Sequence, residues 1–308
     1  MKRSNEYWRK RELEHIKERK KQDKKIAARL QRKYIEAQEE ITKEINSFYG
    51  RYASKEGISI EDAKKRVKQI DIDAYKRKAK RYVKERNFSD IANEEMRLYN
   101  VTMKINRLEM LKRNIELELY GLFSDEERFM YERLTKQAYD EYERLSAILG
   151  GTVHHNEKMI KSIVNSSFLN ATWSERIWTN QRALRNELDT LLSRAVVQGK
   201  HPRELSKEIR DKFEVGAYEA ERIMRTESAR VMQDVFLDSA AKTGIEQYEF
   251  IAEPDACPIC AKLDGNIYNV DEAEIGVNAY PVHPSCRCSQ AMYMSREKWD
   301  ERLKEKGI

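Results

Sequence analysis

Between Tyr7 and Phe48 no Pro or Gly occurs, and apolar residues recur mostly at steps of three and four: Leu13, Ile16, Ile26, Leu30, Tyr34, Ala37, Ile41, Ile45 and Phe48. That period predicts one long amphipathic helix with a narrow apolar stripe. Such a stripe needs a second helix to cover it, from the same chain or from a partner. In a free monomer with many such helices the stripes would stay exposed, so the pattern favours a component of an assembly.

Gly50 and Gly57 interrupt the pattern, and Ser59 with Asp62 predicts a new helix from about Ile60. Further helical segments are expected from Glu94 to Tyr120 and, behind the capping-box pattern "SDEE" at Ser124, to Leu149. Gly150 and Gly151 then end a helix, with little periodic structure just after them. Beyond lie a helix capped by Ser174 and ending at Gly199, a shorter one with Pro202 in its first turn, and a third from Ala217 to Thr243 closed by Gly244. Alternating, strand-like runs appear only after that, as "IEQYEFIA", "GNIYNV" and "SQAMYMS", before a charged helix from Arg296. The expected organisation is a helical region over 1–150, a helical segment over 151–245 and a small β-rich module over 246–308.

Composition sharpens this picture. Charged residues make up 36% of the 308, which leaves few for one large core, and only 5 Pro and 11 Gly favour extended helices. The net charge of +6 is unevenly spread, because Met1 to Lys33 holds fourteen Lys or Arg against five acids, and "KKRVKQIDIDAYKRKAKRYVKER" follows at 64–86. Lys20, Lys21, Lys24, Lys25, Arg77, Lys78, Lys80 and Arg81 are candidate phosphate contacts for sequence-independent, salt-sensitive DNA binding; the alternative is solvated helix faces balanced by nearby Glu. No leader-like pattern opens the chain and no apolar run approaches the roughly 20 residues of a membrane span, so a soluble protein made in the cytoplasm is expected.

All four cysteines fall within 32 positions, as "CPIC" at 257–260 and "HPSCRC" at 283–288. In a reducing compartment such clustering points to metal or redox chemistry before disulfides. A knuckle directs Cys257 and Cys260 toward one point, and residues two apart on an extended segment, such as Cys286 and Cys288, face the same side. With His283 there are five candidates for the four tetrahedral positions of a structural zinc, which would staple a module whose own core is thin. A thioredoxin-like pair would start a helix at Cys257, yet Asp264-Gly265 signals a turn within a few residues. A catalytic zinc would need an open position and a base such as Glu227, Asp255 or Asp264.

The residues from "RTESARVMQDVF" at Arg225 through "PDACPICAKLDG" to "HPSCRC" resemble the C-terminal module of phage head morphogenesis proteins, the Mu F-like minor head proteins of tailed bacteriophages. "WSERIWTNQRALRNEL" and "NEYWRKRELEHI" are also similar to such proteins. The resemblance implies a virion component without enzymatic activity, at the portal vertex or capsid interior and in the host cytoplasm during assembly. It also implies binding to the portal and to other head or scaffolding proteins, in genome packaging or ejection, with double-stranded DNA as a further partner. The implied fold is mainly α: an elongated helical N-terminal region, a helical segment, then a small zinc-stapled α+β module. A metal-dependent hydrolase or nuclease and a free DNA-binding protein are the alternatives.

Other residues fit structural roles. Arg225, Thr226 and Glu227 lie within a helix, where an ion pair tying that helix to the small sheet is expected. Trp173 and Trp178 are expected core anchors. His154 and His155 fall in a linker, and His15 and His201 on helix surfaces without an evident partner. No P-loop, dinucleotide fingerprint, G-x-S-x-G or H-E-x-x-H occurs, which removes the commonest enzyme classes, a packaging ATPase included.

Overall fold

The computed structural model describes residues 2–52, 107–198 and 202–294. The helix expected from Ile60, the basic run with Arg77, Lys78, Lys80 and Arg81, His201 and the helix expected from Arg296 lie outside these residues. The fold is mainly helical, with α1 at Lys2–Tyr52, α2 at Arg107–Leu149, α3 at Glu157–Asn165, α4 at Trp173–Gln198 and α5 at Pro202–Thr243. The chain divides into two compact units. One comprises Met1–Gln31, Asp125–Trp178 and Ala217–Ile308; the other comprises Arg32–Ser124 and Thr179–Gly216.

The periodicity of α1 is realised as burial: Ile16, Leu30, Tyr34, Ile41 and Ile45 are all buried. The chain itself covers the stripe, so the argument from uncovered stripes to an assembled component does not hold for α1. In the second unit the Tyr34 ring meets Phe123 and Phe213 edge to face, with centroids 5.8 and 6.4 Å apart.

Three expected helix breaks are absent, the first at Gly50, which α1 runs through to Tyr52. Helix α2 runs through Gly121 and Ser124, because Leu119, Tyr120, Leu122 and Phe123 are all buried there and outweigh a glycine penalty of about 1 kcal/mol. Helix α5 runs through Gly216 because Tyr34 lies against it; a Cβ at that position would come within 2.6 Å of the Tyr34 Cε1. That glycine serves close packing and not termination.

Thr172, not Ser174, caps α4. The Thr172 Oγ1 accepts from the Glu175 N–H at 3.2 Å, the Glu175 carboxylate accepts from the Thr172 N–H at 2.7 Å, and the Ser174 hydroxyl donates to Glu127. Helix α3, unforeseen after the double glycine, is capped by Asn156, whose Oδ1 accepts from the Met159 N–H at 2.9 Å, and it buries Ile160 and Val164.

The three strand-like runs form β1 at Gln247–Ile251, β2 at Ile267–Asn269 and β3 at Ser289–Tyr293, an antiparallel sheet in the order β2-β1-β3. Alternation along β1 sends Tyr248 and Phe250 toward α5, where Phe236 and Met232 await them. Ile251 points the other way and joins Ala291 of β3 in contact with Ile16 of α1. The sheet therefore lies between the first part of α1 and the last part of α5.

Candidate metal centre

Each half of the Cys/His cluster sits on a tight backbone turn. Cys257 precedes α6, the single helical turn Pro258–Ala261, and its carbonyl accepts from the Ala261 N–H at 2.9 Å. That turn places Cys257 and Cys260 three residues apart on one side. A short helix does therefore begin at the motif, as a redox pair would want, but it closes after four residues. Asp264 fixes the exit, its Oδ1 accepting from the Ala252 N–H at 2.8 Å, and Gly265 supplies φ +76°. In the second half the Cys286 N–H reaches the His283 carbonyl at 3.2 Å, with Ser285 left-handed at φ +65°.

The turns bring five donors together. The His283 Nε2 lies 3.3 Å from the Cys257 Sγ and 3.2 Å from the Cys260 Sγ, and the Cys260 Sγ lies 3.9 Å from that of Cys286. Two triads result, Cys257-Cys260-His283 and Cys260-Cys286-Cys288, with donors within 4.8 Å of one another in each. Cys260 belongs to both. Cys260, Cys286 and Cys288 are buried, and all four cysteines are free thiols.

This donor set fits a thiophilic ion. Two sulfurs bound tetrahedrally at the usual zinc distance stand about 3.8 Å apart, close to the Cys260–Cys286 separation and far from a disulfide bond of about 2 Å. His283 is already oriented, because its Nδ1 lies 2.9 Å from the Pro284 carbonyl. A carbonyl only accepts, so the proton sits on Nδ1 and the Nε2 lone pair faces the thiols, as in a metal-binding imidazole. Hydrogen bonds from the Cys260 and Cys288 thiols pull the Cys286 thiol down, while the same contacts, together with burial, push Cys260 and Cys288 up. The Cys260 amide N–H lowers Cys257.

Helices hold these loops from outside. The Thr226 Oγ1 on α5 accepts from the Ser285 N–H at 2.9 Å. From α1, Arg19 Nη2 donates to the Arg287 and Cys288 carbonyls, both at 3.0 Å. Arg9 pairs with Glu249 at 2.9 Å and with Asp264 at 2.5 Å, and Lys20 pairs with Glu253 at 2.8 Å and Asp255 at 3.2 Å. The supports from α1 were invisible in the sequence, since more than 230 positions separate those partners.

The bases imagined for a catalytic metal are occupied elsewhere, and among the described residues neither triad includes a carboxylate. Asp264 and Asp255 carry the α1 contacts. Glu227 pairs with Arg230 at 2.6 Å, and Arg230 in turn donates to the Ile163 and Val164 carbonyls at 2.8 and 3.0 Å. The expected ion pair thus exists, but it ties α5 to α3 and not to the sheet; Thr226 reaches the HPSCRC loop instead.

The remaining candidates fall as follows. Lys21 is exposed beside Glu18 at 2.6 Å, and Lys24 and Lys25 are exposed. His15 does have a neighbour, the Glu12 carboxylate at 3.7 Å. His155 stacks on Tyr142 with centroids 4.4 Å apart. Trp173 is a buried anchor whose Nε1 donates to the Val164 carbonyl at 3.0 Å, and Trp178 is half-buried.

Comparison with curated proteins and with solved structures finds no match. Residues 186–291 match the family model described as Phage Mu protein F like protein. The matched span holds all of α5, β1 and β2, most of β3 and every donor of the cluster. The similarity to Phage Mu protein F like proteins thus lies in the C-terminal region of the chain, where the Cys/His cluster sits.

Proposed function

We propose that the protein is a minor head protein of a tailed bacteriophage, acting in head assembly and in genome packaging or ejection. The observation that carries this reading is the Mu F-like match over 186–291, which encloses the Cys/His cluster and its supporting helix. On this reading the protein works with other head proteins in the virion, at the portal vertex or capsid interior, after assembly in the host cytoplasm, and the Mu F-like match supports that reading. No helix among the described residues is long and apolar enough to cross a membrane.

The Cys/His donors support a structural zinc held by four of Cys257, Cys260, His283, Cys286 and Cys288. The metal would supply cross-linking of the two turns, on the order of 10 kcal/mol of folding free energy. A closed site of this kind favours a binding protein over a hydrolase or nuclease.

The portal would be the principal partner. DNA is a second, met without sequence preference by the exposed Lys21, Lys24 and Lys25 together with Arg77, Lys78, Lys80 and Arg81; Lys20, held by Glu253 and Asp255, contributes least. Co-expression of the full chain with the portal protein of the same phage, without other virion components, tests this function. Stable co-purification is expected, and elution of the chain alone would remove the portal role.

A further inference from the structure

Every loop that carries a candidate ligand is also gripped by α1. Lys20 holds Glu253 and Asp255, just before Cys257, and Arg9 holds Asp264, just after Cys260. Glu12 accepts from the Ser289 hydroxyl at 2.9 Å, one residue past Cys288. Arg19 reaches furthest in. One of its nitrogens bridges two consecutive carbonyls, those of Arg287 and Cys288, while its guanidinium lies 5.9 Å from the centroid of the buried Tyr280 ring and its Nη1 lies 3.5 Å from the Met232 Sδ.

Two carbonyls that point at one guanidinium fix the peptide between them. That peptide links Arg287 to Cys288, so its orientation sets where the Cys288 thiol points relative to those of Cys260 and Cys286. From the opposite side Thr226 fixes Ser285. The HPSCRC loop is therefore clamped between two helices, one of them more than 250 residues away in sequence.

We propose that Arg19 is a positioning residue of the metal centre, and that docking of the N-terminal part of α1 on the Cys/His module is coupled to metal occupancy. The proposal rests on the metal reading above. Coupling of this kind is reciprocal: if docked α1 orders the ligand loops and tightens metal binding, the bound metal strengthens docking of α1 by the same factor. The basic residues Arg9, Arg19 and Lys20 are then held on the module while the metal stays bound, and metal loss releases them together.

The test uses the full chain under reducing conditions. Zinc affinity is measured by competition with a chelating indicator for wild type, Arg19→Ala and Arg19→Lys, with Lys21→Ala as a control. Amide hydrogen exchange over residues 7–23 of wild type is followed before and after chelation. Loss of an outer-sphere partner typically costs 10–100-fold in metal affinity, so Arg19→Ala is expected to bind zinc at least about tenfold more weakly, with Arg19→Lys in between and Lys21→Ala unchanged. The cobalt(II) absorption bands of Arg19→Ala should shift, reporting altered ligand geometry. Chelation of wild type should accelerate exchange across residues 7–23.

Zinc uptake by wild type, with unchanged affinity and cobalt bands in Arg19→Ala, overturns the positioning role while leaving the metal centre standing. Exchange in α1 that ignores chelation overturns the coupling, and does so even if the variants fail to fold. A wild-type chain that takes up no zinc sinks the metal reading and this proposal together.

Discussion

Glu227 and Arg230 form an ion pair at 2.6 Å with side chains 0% and 2% exposed, one helical turn apart on α5. Removing one partner of a buried pair strands the other charge, at a cost of about 3–5 kcal/mol. Arg230→Ala is expected to reach that range, because it also removes the hydrogen bonds that Arg230 donates to the carbonyls of Ile163 and Val164 on α3. Denaturant unfolding measures it. A cost below about 1 kcal/mol would mean that α3 is not anchored through Arg230.

Gly216 faces the Tyr34 ring with no room for a methyl group. Gly→Ala inside a helix ordinarily gains about 1 kcal/mol, whereas overpacking costs about 1–3 kcal/mol. Gly216→Ala should therefore destabilise, and Tyr34→Leu in the same chain should recover part of the loss. A double-mutant cycle by thermal or denaturant unfolding reads the coupling; additive effects would contradict the contact.

Glu12 titrates far below an ordinary carboxylate. Burial alone would raise it, but Arg144 at 2.5 Å and neighbouring His15 outweigh burial and hold it at about 2 against 4.5 for an unperturbed group. A depressed folded pKa contributes stability that is present above the unfolded value and lost as pH falls through the folded one. The window is thus about pH 4.5 down to 2, with about 3 kcal/mol at stake. Unfolding of wild type and Glu12→Gln across this range should show a gap that is largest at neutral pH and closes in acid. A gap independent of pH would contradict the assignment.

Cys260 is the donor common to both triads. Cys260→Ser should lower metal retention more than Cys257→Ser or Cys288→Ser, each of which removes a donor from one triad only. Metal content after gel filtration against a weak chelator provides the comparison, and equal losses would show that the donors are not arranged around Cys260.

Much of the architecture was legible because its causes are local. The three- and four-residue rhythm of α1 matches its burial at Ile16, Leu30, Tyr34, Ile41 and Ile45, and alternation along 245–252 gave β1 its two faces. Within each half of the cluster the donors were legible for the same reason, since turn chemistry and short spacing bring Cys257 to Cys260 and His283 to Cys286 and Cys288. Elements decided by distant packing were misread. Gly216 reads as a helix end until Tyr34 is seen against it, and Gly121-Ser124 reads as a break until its buried neighbours are counted. The supports of the Cys/His loops were illegible altogether: nothing near Arg19 announces that its partners are the carbonyls of Arg287 and Cys288.

The central claim is that the Cys/His cluster is a closed structural metal centre of a head protein. The most direct test is the metal content of the full chain purified under reducing conditions, followed by thermal unfolding before and after chelation. About one zinc per chain, with a cooperative loss of stability on its removal, is the expected result. A metal-free chain that melts identically with and without chelator would contradict the account.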